Sequence, residues 1–451
     1  MTLRPNASGS YGAGTDPGGT VTITPVAPHA ADETPGPLDI DLDALAWDDA
    51  DAFANIDREA LFAALRAERP VLWCAEPEIP GFPQGPGYWS LSRYADVMEV
   101  SRDPQRFISG AGTTIPDMPM EIAEFFGSMI SMDAPRHTRL RLIVNRSFTP
   151  RQVARIEAQV QTKADAIIDR VAGLGECDFV SDIAAALPLE IICDMMGIPP
   201  SQYHRVFELT NIILGAGDAE YTPDFMALMN AAVELSQMAQ EIGRDRLANP
   251  TDDLTSALMH AEVEGEDGVV HKLSAEEYGS FFILLVAAGN ETTRNAISHG
   301  MYALSTHPEQ RASLAEDFEG RVAGAVEEIV RWSTPVIHFR RTATTDCVIG
   351  GQEIAAGDKV VLWYNSANRD ADMFVDPYRF DILRSPNEHV GFGAGGPHFC
   401  LGANLARREI TVMFRELFRH LPDIEITGEP DYLQSSFIHG IKRMPCAYTP
   451  R

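Results

Sequence analysis

Basic residues are scarce in this 451-residue chain, where 36 lysines and arginines face 65 aspartates and glutamates for a formal net charge of −29. Such a surplus repels phosphate backbones and anionic membrane surfaces, so nucleic acid is excluded as a partner class unless the few cations cluster. Cysteine is also sparse. Its six positions, Cys74, Cys177, Cys193, Cys347, Cys400 and Cys446, form no CxxC pair and no dense pattern, which excludes a disulfide-stapled secreted scaffold and suits a reducing cytoplasm. Long apolar runs are missing too: Phe281 to Ala288, the most apolar stretch after the N-terminal region, is eight residues long, against the roughly 20 needed to cross a bilayer. Integral membrane insertion is therefore not expected. Residues 1–37 lack a basic segment leading into an apolar one and are rich in Gly, Pro, Thr, Ala and Ser, the composition of a disordered tail rather than a signal. From 38 to 451 there is no linker, repeat or low-complexity block, so a single domain is expected.

What is present is helical periodicity. Apolar residues at three and four spacing predict helices over Pro150 to Gly173, Leu187 to Gly197, Thr222 to Ala248, Ala275 to Ser305 and Arg321 to Trp332. Strand signals are fewer: Val71 to Cys74, Tyr88 to Leu91, Arg340 to Ile349 and Lys359 to Tyr364. The expected class is mostly α with a minor β region. One helix stands out, because Ser274 and Glu277 form a capping box and the pattern then runs unbroken to His307-Pro308. Its length places Ala287 to Thr293 at the centre of the domain, where Gly289, Glu291 and Thr292 are unusual core residues.

Gly391-Phe392-Gly393-Ala394-Gly395-Gly396-Pro397-His398-Phe399-Cys400-Leu401-Gly402 ends a glycine-rich loop on one cysteine, directly before a helix-forming stretch, Ala403 to Leu417. A helix N-terminus stabilises a thiolate, and glycines let a loop approach a flat macrocycle closely. The alternative is a buried, inert cysteine. The same run satisfies Gly-x-Gly-x-x-Gly, but the preceding Arg384 to His389 is polar and Pro-containing, and too little chain follows for a dinucleotide-binding fold.

At these residues the chain resembles the cytochrome P450 family, and further positions match its signatures in order. Glu328 and Arg331 resemble the Glu-x-x-Arg pair, with Arg379 in Asp376-Pro377-Tyr378-Arg379-Phe380 as the arginine completing that buried network. His137 and Arg141, at i,i+4 spacing, and Arg341 resemble the groups that hold heme propionates. Ala288-Gly289-Asn290-Glu291-Thr292-Thr293 resembles the acid-alcohol pair over the distal heme face. The resemblance implies a single-domain P450 fold with the long helix over heme b, Cys400 as iron ligand, and His137, Arg141, Ala288, Arg341, Phe392, Gly393, His398 and Gly402 around the cofactor. Thr292 would hydrogen-bond activated dioxygen, and Glu291 would relay protons from solvent. One departure is Phe392, which precedes Cys400 by eight residues rather than the seven common in the family; its placement against the heme is the open point of the motif.

The implied reaction consumes O2 and two electrons to hydroxylate an apolar lipid. Segments such as FFILLVAAGNETTRNAISHG (281–300), LPLEIICDMMGIP (187–199) and FIHGIK (437–442) resemble bacterial methyl-branched lipid omega-hydroxylases and sterol side-chain hydroxylases. Ile115, Met118 and Phe125, in the loop before His137, with Leu214, Ala287, Val336 and Phe437, are the expected pocket wall. With no flavin or iron-sulfur module apparent, electrons would come from a ferredoxin and its reductase. Arg139, Arg146, Arg407 and Arg408 are candidate docking charges, and a monomer is expected by analogy. The rival readings are a heme-thiolate hydroxylase of another apolar substrate, such as a steroid nucleus or terpenoid, and a heme-thiolate ligand sensor without turnover, against which Glu291 and Thr292 speak.

Overall fold

The computed structural model describes residue 35 and residues 57–76, 84–147, 150–264 and 269–451. Apart from residue 35, the tail expected over 1–37 lies outside the described residues. The predicted long helix forms as Ala275–Thr306, about 48 Å at 1.5 Å per residue. Its capping box is made in both directions: Glu277 N–H donates to Ser274 Oγ at 3.1 Å and Ser274 N–H to Glu277 Oε2 at 3.0 Å. Helices Ala186–Met196, Tyr203–Leu214, Phe225–Ala248, Phe318–Ser333 and Ala403–His420 pack around it. Burial of their apolar stripes makes one continuous core that includes Phe282, Val286, Ile297, Ile329 and Phe414. Among the described residues no helix is long and apolar enough to cross a membrane.

Short helices escaped the pattern, among them Arg58–Glu68, Tyr94–Arg102, Met120–Gly127 and Pro308–Glu316. Met120–Gly127 corrects the expectation that Phe125 lies in a loop. It starts at Pro119, whose carbonyl accepts from Ile122 and Ala123 N–H, both at 2.9 Å. Tertiary contact then holds it, because Ser280 Oγ of the central helix reaches the carbonyls of Glu124 and Phe125.

The strands are β1 (Val71–Cys74), β2 (Tyr88–Leu91), β3 (Phe107–Ile108), β4 (Glu176–Asp178), β5 (Val263–Glu264), β6 (Val270–His271), β7 (His338–Ala343), β8 (Cys347–Ile349), β9 (Gln352–Ile354), β10 (Lys359–Trp363), β11 (Glu425–Ile426), β12 (Asp431–Tyr432), β13 (Ile441–Arg443) and β14 (Pro445–Ala447). The main sheet has the order β1–β2–β10–β7–β3, and a smaller one runs β11–β14–β4. The single strand expected over Arg340 to Ile349 is two, β7 and β8. Thr344 breaks it by donating to Arg106 O at 2.8 Å and Gln105 O at 2.9 Å, which turns the chain out of the ladder.

Candidate active site

The cysteine loop owes its shape to three glycines with left-handed backbone, Gly393 (φ 95°), Gly395 (φ 82°) and Gly396 (φ 78°). The residue by which the loop exceeds the common spacing is taken up there, since only glycine adopts these angles without strain. Cys400 N–H closes the loop on Phe392 O at 3.0 Å. A Cβ on Gly396 would stand 2.4 Å from Ser101 O, so the loop leans on helix Tyr94–Arg102. Phe392 packs against the main core with the Arg407 guanidinium 4.4 Å from its ring centroid.

Cys400 sits at the mouth of helix Ala403–His420. Burial pushes its thiol up, while the N–H groups of Gly402 and Ala403 and the charges of Arg141 and Arg407 pull it down. Those donors and cations favour the anionic sulfur once an electrophile takes its electron pair.

Four nitrogen-bearing side chains converge beside it. His137 and His398 are 4.3 Å apart between ring centroids, Arg141 Nη2 donates to Phe399 O at 2.7 Å, and Arg341 is 4% exposed. Burial first, then the charges of Arg341, His137 and Arg141, holds the His398 imidazole down to about 2. Burial, then Arg141, likewise lowers His137, whose Nε2 is buried without a hydrogen-bond partner. The two guanidiniums, Arg141 and Arg341, crowded beside these imidazoles are costly to hold there unless an anion joins them. Strand alternation explains Arg341's aim, because Arg340 beside it on β7 faces the opposite way, toward Ala111 O, Thr114 O and Asp117.

On the central helix, Leu284, Leu285, Gly289 and Thr292 are half-buried and Ala288 is exposed, although Val286, Ala287, Asn290 and Glu291 around them are buried. An accessible stripe in the middle of the most buried helix lines interior space. Thr292 Oγ1 donates to Ala288 O at 2.7 Å, leaving its lone pairs free to accept. Glu291, 1% exposed, pairs with Arg294 and accepts from Asn295 Nδ2 at 3.0 Å; Arg294 in turn donates to Asn211 Oδ1 at 2.7 Å. Sequence reading missed Arg294, although its i,i+3 spacing from Glu291 is a local signal, and Asn211, since nothing local marks a side chain 83 residues from Arg294 as its partner.

The Glu-x-x-Arg network is fully buried. Arg331 Nε and Nη2 donate to the two Glu328 oxygens, each at 2.7 Å, and Arg331 Nη1 reaches Asn368 O and Pro377 O at 2.8 Å. Burial opposes the Glu328 charge, but Arg331 and Arg384 outweigh it and hold the carboxyl below its ordinary range. The second guanidinium is Arg384, with Nε 3.2 Å from Glu328 Oε2, and this corrects the expectation for Arg379. Arg379 is exposed and enters only through its carbonyl, 3.1 Å from Arg331 Nη2. The reach is decided by the turn Asp376–Asp381, which carries Arg384 back over Glu328.

The expected pocket residues divide. Met118, Phe125, Leu214, Val336 and Phe437 are half-buried, and Val336 bridges Ile438 beside Phe437, so the loop after Ser333 and the tip of the β12–β13 hairpin form one wall. Ala287 is 5% exposed and faces the core rather than the accessible stripe. Ile115, 1% exposed, packs with Leu61, Phe62 and Trp363 and is a core residue, not a wall. The basic patch is also reduced, because Arg139 pairs with Glu277 and Arg407 with Glu327. Arg146 remains exposed, one turn after Leu142, which is 38% exposed.

A thiol supplied with N–H donors, an anion cradle with an orphaned imidazole nitrogen and a small-residue stripe fit a heme with its propionates. Known proteins agree. The family model described as Cytochrome P450 matches residues 188–422. The chain is 52% identical over 395 residues to the "Methyl-branched lipid omega-hydroxylase" of Mycobacterium tuberculosis (strain ATCC 25618 / H37Rv), covering 87% of this chain and 91% of that one. It is 40% identical over 410 residues to the "Steroid C26-monooxygenase" of Mycolicibacterium smegmatis, covering 89% and 94%. A solved Mycobacterium marinum cytochrome P450 in complex with pseudoionone superposes with a TM-score of 0.82 at 43% identity, over 92% of this chain and 99% of that one. The chain belongs to the cytochrome P450 family and is a monooxygenase.

Proposed function

We propose that this P450 hydroxylates the terminal carbon of methyl-branched lipids, RH + O2 + 2e− + 2H+ giving ROH + H2O, with electrons from a ferredoxin. The observation that carries the reading is the 52% identity, over 87% of the chain, to a protein named for that reaction. The half-buried Phe125, Met118 and Phe437 support an apolar substrate. Bound heme b supplies the oxidising chemistry. Cys400 would hold the iron, and the N–H groups of Gly402 and Ala403 that reach its sulfur would restrain its electron donation. His137, Arg141, Arg341 and His398 would hold the propionates, whose charge would offset that of Arg141 and Arg341. Thr292 and Glu291 deliver protons, Glu291 after exchanging its Arg294 bond for water.

A terminal C–H bond is stronger than its internal neighbours, so position alone must select it. The experiment is a spectral-shift screen of branched and straight fatty acids, isoprenoids and sterols, followed by product analysis. Terminal alcohols from branched chains are expected; mid-chain alcohols would remove the omega assignment while leaving the monooxygenase. For the electron donor, Arg146→Glu should lower ferredoxin-supported turnover at low salt without changing peroxide-driven turnover. The expected working unit is a monomer, to be read by light scattering.

A further inference from the structure

Away from the heme site, the small sheet β11–β14–β4 brings two nucleophilic side chains together. Cys177 on β4 and Cys446 on β14 are register partners across an antiparallel pair, and their Sγ atoms are 3.5 Å apart. Phe179 N–H donates to Met444 O at 2.8 Å and Tyr448 N–H to Gly175 O at 2.9 Å, two positions to either side. That places 177 and 446 in the hydrogen-bonded class of antiparallel pair, with Cα atoms about 5.5 Å apart, within the span of a disulfide. Cys446 is 1% exposed, whereas Cys177 is half-buried and open to a small oxidant. The hydrogen bond with Cys446 holds the Cys177 thiol below its ordinary value, and the same contact with burial pushes Cys446 far up. Tyr448 Oη adds a polar atom 3.6 Å from the Cys177 sulfur. An accessible sulfur with thiolate character thus touches a buried thiol poised to resolve it.

We propose that Cys177 and Cys446 form a reversible oxidation site, which a hydroperoxide converts into a cross-strand disulfide. The Cys177 thiolate attacks one oxygen of hydrogen peroxide, the O–O bond breaks, and the departing hydroxide takes up the proton that Cys177 had released. Cys177 is then a sulfenic acid. The Cys446 sulfur attacks it, the S–S bond forms as the S–O bond breaks, and the second water leaves with the Cys446 proton. Two thiols are oxidised by two electrons in total, and one peroxide is reduced to two waters. The oxidant is hydrogen peroxide supplied from solution. The bond joins residues 269 apart in sequence and ties the C-terminal strand to β4, which leads into the π-helical turn Phe179–Ala184 behind the central helix.

The test uses reduced holoenzyme exposed to hydrogen peroxide, then digested without reductant and mapped by mass spectrometry. The expected result is a peptide pair joined through Cys177 and Cys446 that has lost two hydrogens and is separated by dithiothreitol. Oxidised wild type should also melt several degrees above the reduced form, and Cys177→Ser and Cys446→Ser should each abolish both effects while keeping the carbon monoxide-bound spectrum. Sulfinic acid at Cys177 with no linked peptide, or both thiols still free to alkylation after peroxide, would overturn the proposal.

Discussion

Glu409 shows how much one buried group can govern. It lies 2% exposed on the helix after Cys400, hydrogen-bonded to Thr293, and burial pushes its carboxyl from 4.5 up to about 8. Between those values the unfolded chain has lost the proton that the folded chain keeps. Stability from this group is therefore fully present below pH 4.5 and is lost as pH rises to about 8. Glu409→Gln should flatten that dependence and gain on the order of a few kcal/mol at neutral pH, read by urea unfolding at pH 5 and pH 8; parallel losses in both proteins would refute it. The Glu328 network offers a second contrast. Arg384→Ala leaves a buried carboxylate with one guanidinium and should cost about 3 kcal/mol, with loss of heme on mild heating. Arg379→Ala keeps the carbonyl that matters and should stay within about 0.5 kcal/mol. Equal losses would return Arg379 to the role its motif suggests.

At the scale of elements, the chain's local chemistry accounts for the central helix and tertiary contact for the segments around it. Residues 111–117 have no secondary structure of their own, yet Arg340 holds Ala111 O at 2.9 Å, Thr114 O at 3.2 Å, Ile115 O at 3.3 Å and Asp117 at 2.7 Å. Lys359 adds Asp117 at 2.7 Å and buried Glu76 at 2.7 Å. Two neighbouring strands, β7 and β10, thus pin the loop that precedes helix Met120–Gly127. Arg340→Met should lower stability by about 2–4 kcal/mol and broaden the product distribution, since the wall carrying Met118 loses its anchor. Gas chromatography of the products checks this; unchanged regiochemistry in a destabilised enzyme would separate the loop from substrate selection.

Over the whole molecule, an acidic surface is held together by a few shared cations. Lys442 on β13, with a 9% exposed side chain, joins Asp218 at 3.1 Å, Glu220 at 2.8 Å and Asp431 at 3.6 Å. It therefore ties the turn between helices Tyr203–Leu214 and Phe225–Ala248 to the hairpin carrying Phe437. Lys442→Met leaves Asp218, which is 2% exposed, with backbone N–H donors but no cation, and should cost about 2 kcal/mol and speed substrate release, measured by stopped-flow displacement. An unaltered off-rate would show that this tie does not gate the pocket.

The five periodic helices and the capping box at Ser274 were legible because they depend on neighbours three or four residues away, where side-chain type and backbone hydrogen bonding are coupled. Cys400, Glu291, Thr292, His137, Arg141 and Arg341 were named as candidate site residues from a family pattern. Arg384 in place of Arg379, the Asn211 partner of Arg294, the core position of Ile115, the split of β7 from β8 and the meeting of Cys177 with Cys446 were not legible. Each depends on where distant segments are carried by packing, and a linear pattern holds no term for a contact across 83 or 269 residues. The sequence by itself determined which chemistry is available; the tertiary structure decided which groups stand close enough to use it.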